Sequence, residues 1–133
     1  MWPFRRRRLP SDLEATYAAF LSAIESVEKA KAAVVAAVPS ARYPGVPLGD
    51  ALGSYDRFLA EADTRMAPWF DERLAGIWEG CDAGIVEARR VGDRLREQPS
   101  ELGFESLLET VQELLDPLEP FELAEERFRS LRE

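Results

Sequence analysis

The sequence predicts an all-α fold, an antiparallel helical bundle of four to five helices, on three observations. Apolar residues recur at alternating steps of three and four along most of the chain, the spacing that lines one face of a helix. Strand-like alternation is nearly absent, while charged residues make up 32% of the chain and stand among runs of Ala, Leu, Glu and Arg, a composition typical of long helices. Prolines punctuate the periodic stretches, and a proline inside a helix removes a hydrogen bond and clashes with the preceding turn. With 133 residues, 46% of them apolar, the chain suits one domain with a real core. The expected division is an arm over residues 1–10 and a single bundle domain over 11–133.

The arm holds the chain's one basic run. The net charge is −8, and Arg5, Arg6, Arg7 and Arg8 leave −12 on the remainder. An acidic body repels phosphate backbones, which argues against nucleic acid as a partner. Trp2 and Phe4 beside the arginines suit an anionic membrane surface, the rings at headgroup level and each arginine adding on the order of 1 kcal/mol. The plainer readings are a frayed tail, an arm tucked against the acidic body, or a docking peptide for a partner protein. No uncharged run is longer than residues 32–41, which is too short to span a bilayer, and the start lacks the apolar core of a signal peptide. Cys81 is the only cysteine, so no internal disulfide points to an oxidising compartment. A cytoplasmic protein is expected, peripheral to a membrane if the arm binds one.

The first helix is expected to begin at Ser11, which forms a capping box with Glu14 three residues on, and to close at Pro39. Leu13, Tyr17, Phe20, Ile24, Val27, Lys31, Val34 and Val38 make a seam at coiled-coil spacing. Ala15, Ala19 and Ala23, then Ala30, Ala33 and Ala37, lie beside it and admit a close neighbour. Lys31 is read as a stem covering apolar surface with its ammonium in water, rather than as a buried catalytic cation. Residues 40–47 form the longest irregular stretch, with Arg42 and Tyr43 its only side chains of binding character. The second helix, over 48–66, carries Leu48, Leu52, Tyr55, Leu59, Ala62 and Met66, with Phe58 widening the stripe. Pro68 then breaks or sharply kinks the chain.

The stretch over residues 67–98 contains an oddity. Gly76, Gly80, Gly84, Ala88 and Gly92 recur at steps of four inside a helical pattern, although each interior glycine costs about 1 kcal/mol against alanine. The compensation expected is a backbone held unusually close to this ridge. The alanine patch of the first helix is the expected partner within the chain, and a second copy of the same helix is the alternative. Phe70, Leu74, Ile77, Cys81, Ile85, Ala88 and Leu95 define the buried face, with Trp78 alongside. Cys81 reads as a small buried apolar group, since no base is at hand to make it a thiolate.

Beyond Pro99 and Ser100, the residues Phe104, Leu107, Leu108, Val111, Leu114, Leu115 and Leu118 form a broad apolar face. Asp116, Pro117 and Glu119 mark a fresh helix start with Asp116 as its cap. Phe121, Ala124, Phe128 and Leu131 then supply the stripe of a short last helix. The chain contains no histidine, so Ser-His-Asp, Cys-His and Glu-x-x-His di-metal arrangements are all excluded, and no phosphate-binding glycine loop occurs. No catalytic, cofactor or metal residue is assigned. The leading expectation is a noncatalytic interaction or scaffold bundle that binds protein, its own copies included. The alternatives are a peripheral membrane protein docking through its arm and a bundle binding a small molecule or a carboxylate-held metal.

Overall fold

Prolines at 68, 117 and 120 fall where the periodic stretches break, and four antiparallel rods result. The computed structural model describes residues 9–40, 48–97 and 104–132. Among them the α-helices are α1 (Glu14–Ser40), α2 (Leu48–Thr64), α3 (Ala75–Glu97), α4 (Phe104–Leu115) and α5 (Pro120–Ser130). Short 3-10 turns occupy Ser11–Leu13, Ala67–Trp69, Glu72–Leu74 and Asp116–Leu118, and the described residues include no strand. The class is all-α.

Cross-contacts fix the direction of each rod. At the end of α2 the Arg65 guanidinium donates to the Ser22 carbonyl (3.0 Å) and the Ser26 hydroxyl (2.7 Å) of α1, so α2 runs back along α1. The Trp78 indole N–H of α3 donates to the Met66 carbonyl (2.7 Å) and, further along, Arg89 pairs with Asp56 of α2 (3.0 Å), so α3 reverses again. The fourth rod is α4 and α5 in series. Arg94 pairs with Glu113 at 3.0 Å, and Phe128 near the end of α5 stacks on Phe20 near the start of α1 with centroids 4.9 Å apart. Contacts between α1 and α4 close the ring.

The seams pack as their spacing requires. Leu13, Phe20, Val27 and Val34 of the first stripe, Leu52, Tyr55, Leu59, Ala62 and Met66 of the second, and Leu114, Leu118, Phe121, Ala124 and Phe128 of the fourth rod are all buried. Arg42 and Tyr43, and the side chains of Val38, Leu48, Phe104 and Leu107, lie outside the described residues.

Local departures from expectation have identifiable causes. The Ser11–Glu14 capping box gives way to a 3-10 turn, because Pro10 takes the cap position and its carbonyl accepts from Leu13 N–H at 2.8 Å. Leu9, counted with the arm, packs against the core. α1 continues through Pro39 to Ser40; a proline in the last turn sacrifices one hydrogen bond without forcing the whole helix to stop. Asp116 sits inside a 3-10 turn instead of capping a new helix, and its carboxylate accepts from the Gln112 side chain. Leu108 is 46% exposed rather than part of the buried face.

The largest correction follows Pro68. A helix continued from that point buries Phe70, but the chain turns over Ala67–Trp69, extends at Phe70 (φ −65°, ψ 133°) and Asp71, turns again over Glu72–Leu74 and only then starts α3. The extended pair rotates the sequence against the helical period. Phe70 is left 48% exposed, while Trp69 is fully buried against Phe20, Phe128 and Trp78. Asp71 caps the second turn by accepting from Arg73 N–H at 2.9 Å. Truncation of Trp69 to alanine opens a cavity where all four rods meet. Urea denaturation is expected to show a loss of about 3–5 kcal/mol, whereas Phe70→Ala, at a half-exposed position, is expected to cost less than half of that.

Candidate functional site

The glycine ridge is the most unusual feature of the sequence, and the fold shows what each member touches. A methyl group built on Gly84 collides with the Pro117 carbonyl oxygen and comes within 3.3 Å of the Pro117 carbonyl carbon and 3.8 Å of the Pro120 ring. At Gly92 it meets the Tyr55 ring at 3.5 Å, and at Gly80 the Pro120 side chain at 3.8 Å. Ala88 is fully buried in the core. Nothing lies within 4 Å at Gly76, which is exposed. The expected partner, the alanine patch of α1, is a correction: that patch shares its side of α1 with Ser22 and Ser26, whose partner is Arg65 of the α2 rod. The close backbone comes from the turn between α4 and α5.

That turn explains why the ridge exists. Pro117 and Pro120 lack the N–H groups that would bond to the carbonyls of Glu113 and Asp116, so the rod breaks there. Asp116 instead accepts from Glu119 N–H at 3.2 Å. Tyr55, buried on α2, donates its hydroxyl to the Leu114 carbonyl at 2.5 Å. Burial also pushes its phenol well above the ordinary range, so it stays a donor. One tyrosine thereby fills the space over Gly92 with its ring and satisfies the end of α4 with its oxygen.

One buried thiol and two carboxylate clusters stand out among the titratable groups. Burial pushes the Cys81 thiol up to about 12; a neutral thiol in apolar surroundings is a weak nucleophile. At the start of α1, Arg73 joins Asp12 (2.7 Å) and Asp71 (2.9 Å), and its side-chain and backbone donors hold the Asp71 carboxyl down at about 2. Across the α2–α3 seam, Asp82 faces Asp63 in the same register that pairs Arg89 with Asp56. Partial burial, followed by the Asp63 charge and a shared hydrogen bond, raises the Asp82 carboxyl. Lys31 is half-buried and reaches Glu28 at 3.4 Å, the snorkelling arrangement. Every buried side-chain nitrogen or oxygen among the described residues has a hydrogen-bond partner.

No protein-family model matches the chain, and comparisons with curated proteins and with solved structures return no match. The described residues contain no group of three or more His, Cys, Asp or Glu side chains placed to hold a metal, and no described helix is long and apolar enough to cross a membrane. The arm residues Trp2, Phe4, Arg5, Arg6, Arg7 and Arg8 lie outside the described residues.

Arg65 and the Asp63–Asp82 pair are contacts that sequence reading missed. Each depends on the register between two helices separated by a proline break, and periodicity within one helix carries no such information. Tyr55 had a signal: a tyrosine at a core position requires a partner for its hydroxyl.

Two measurements follow. Gly84→Ala is expected to lower stability by about 1–3 kcal/mol through overpacking against a backbone carbonyl. Gly76→Ala is expected to leave stability unchanged or raise it by up to about 1 kcal/mol; a loss at both positions contradicts the ridge geometry. Because the folded-state carboxyl of Asp82 is raised, its ionisation opposes folding at neutral pH, and that cost fades as the pH falls toward the unfolded carboxyl range near about 4. Asp82→Asn is therefore expected to raise the melting temperature at pH 7 and to lose this advantage at acid pH.

Proposed function

We propose that this chain is a noncatalytic interaction or scaffold bundle that self-associates in the cytoplasm. One observation carries the reading: among the described residues the interior satisfies its own polar groups, while large apolar side chains stand outward on α1, α3, α4 and α5 and in the turn before α3. Leu21 and Val35 on α1, Phe70 before α3, Val86 on α3, Leu108 on α4 and Leu123 on α5 are 42–61% exposed. Single exposed apolar residues are ordinary; what supports an interaction role is that some fall on one line of one helix. The reduced, buried Cys81 suits the cytoplasm. Close packing of two copies through the glycine ridge is not part of the proposal, because Gly84 and Gly92 already face Pro117 and Tyr55.

Sedimentation velocity of the intact chain across a dilution series tests the reading. Mass-action dimerisation is the expected result, and a monomer at the highest concentration removes self-association. Docking on an anionic bilayer through Trp2, Phe4 and the arginines at 5–8 is the competing reading, supported by the residue types alone. Co-sedimentation with anionic vesicles distinguishes it. Equal recovery of the intact chain and a Trp2→Ala/Phe4→Ala variant eliminates the membrane reading.

A further inference from the structure

The outer surface of α1 carries a second seam, distinct from the one that enters the core. Ala18, Leu21, Glu25, Glu28, Ala32 and Val35 recur at alternating steps of three and four, and all six are exposed. The stripe spans about 26 Å at 1.5 Å per residue on the longest helix of the fold, α1 (Glu14–Ser40). It is antisymmetric in a useful way. Laid antiparallel on a copy of itself, it sets Ala18 opposite Val35, Leu21 opposite Ala32 and Glu25 opposite Glu28. Every large apolar side chain then meets a small one, the alternation that lets facing helices interdigitate.

The facing glutamates are the objection to such a pairing, and the structure answers it. Glu25 holds Lys29 at 3.1 Å and Glu28 holds Lys31 at 3.4 Å, each within its own chain. Lys29 and Lys31 lie on opposite flanks of the stripe, so each glutamate of a paired seam already has an ammonium partner at the seam's edge. A contact in which one patch meets itself about a two-fold axis closes as a dimer and does not propagate.

We propose that α1 docks on α1 of a second copy, antiparallel, through this stripe. The inference rests on the self-association reading and specifies its surface. One helix–helix seam of this length lies at the small end of protein interfaces, so the dimer is a weak, reversible one.

Two experiments on the full chain test it, both at exposed positions that leave the core intact. In sedimentation velocity, Leu21→Lys/Val35→Lys is expected to weaken dimerisation at least tenfold while the helical circular dichroism is unchanged. An undiminished dimer overturns the α1 surface but leaves self-association standing; a monomeric parent chain overturns both. In the second, Leu21→Cys and Ala32→Cys chains are oxidised separately and as a mixture, with Cys81 buried in each. A disulfide-linked dimer is expected only in the mixture, since the antiparallel register brings position 21 to position 32. Cross-linking of Leu21→Cys chains alone indicates a parallel pair and overturns the proposal, as does the absence of cross-linking in the mixture.

Discussion

The contact between Gly84 of α3 and the Pro117 carbonyl is the constraint on which the rest of the structure depends. A helix broken by two prolines, three residues apart, exposes carbonyls that its own backbone does not satisfy. A bundle interior has no water with which to satisfy them cheaply. Here the broken turn is seated where its neighbour has no side chain, and the Leu114 carbonyl just before it accepts from a tyrosine on a third rod. The glycines weaken α3 as an isolated helix by about 1 kcal/mol each, and they are tolerated because tertiary packing, rather than propensity, holds most protein helices together. Three rods thus share one device: α4–α5 supplies the break, α3 the clearance and α2 the hydrogen bond.

Much of this was legible in the sequence, though unequally. The seams could be read because burial repeats with the helical period, and Leu52, Tyr55, Leu59, Ala62 and Met66 occupy the core as that period requires. The ridge announced that something lies close to α3. It did not announce what, because a row of glycines describes a clearance and carries no information about its occupant. The alanines of α1 were an equally suitable surface by composition, and they are used against α2. Gly76 shows the limit of the pattern. It belongs to the row by spacing, yet α3 has only begun there and nothing approaches it.

Trp69 and Phe70 show why an element boundary matters more than an element's existence. Both are large aromatics, either of them a fit for the core. The choice between them turns on whether residues 70–74 are helical. Two extended residues shift the phase of everything before them relative to α3, so the buried position moves back by one. The exchange brings a larger ring into the site where Phe20 and Phe128 converge and places the Trp78 indole so that it satisfies the Met66 carbonyl at the end of α2. The break after Pro68 is therefore sealed by aromatics, as the break after Leu115 is sealed by a tyrosine. In both places an aromatic group with one polar atom caps a helix end from a different segment.

The two faces of α1 share one spacing and differ in what occupies it. The inner line places Leu13, Phe20, Val27 and Val34 in the core, side chains large enough that leaving them in water is costly, at roughly 1.5–3 kcal/mol each. The outer line alternates alanine and glutamate with only Leu21 and Val35. Its apolar area is too small to compete for the interior, and its carboxylates are strongly solvated. That difference prevents α1 from rotating in the bundle: a half-turn would bury Glu25 and Glu28, with Lys29, and expose the aromatic cluster at Phe20. The charges that hold the helix in phase also keep its outer stripe from sticking indiscriminately. Any partner that covers the stripe must bring matching small residues and must tolerate the paired charges, a stringent requirement that the stripe's own reversed sequence fulfils.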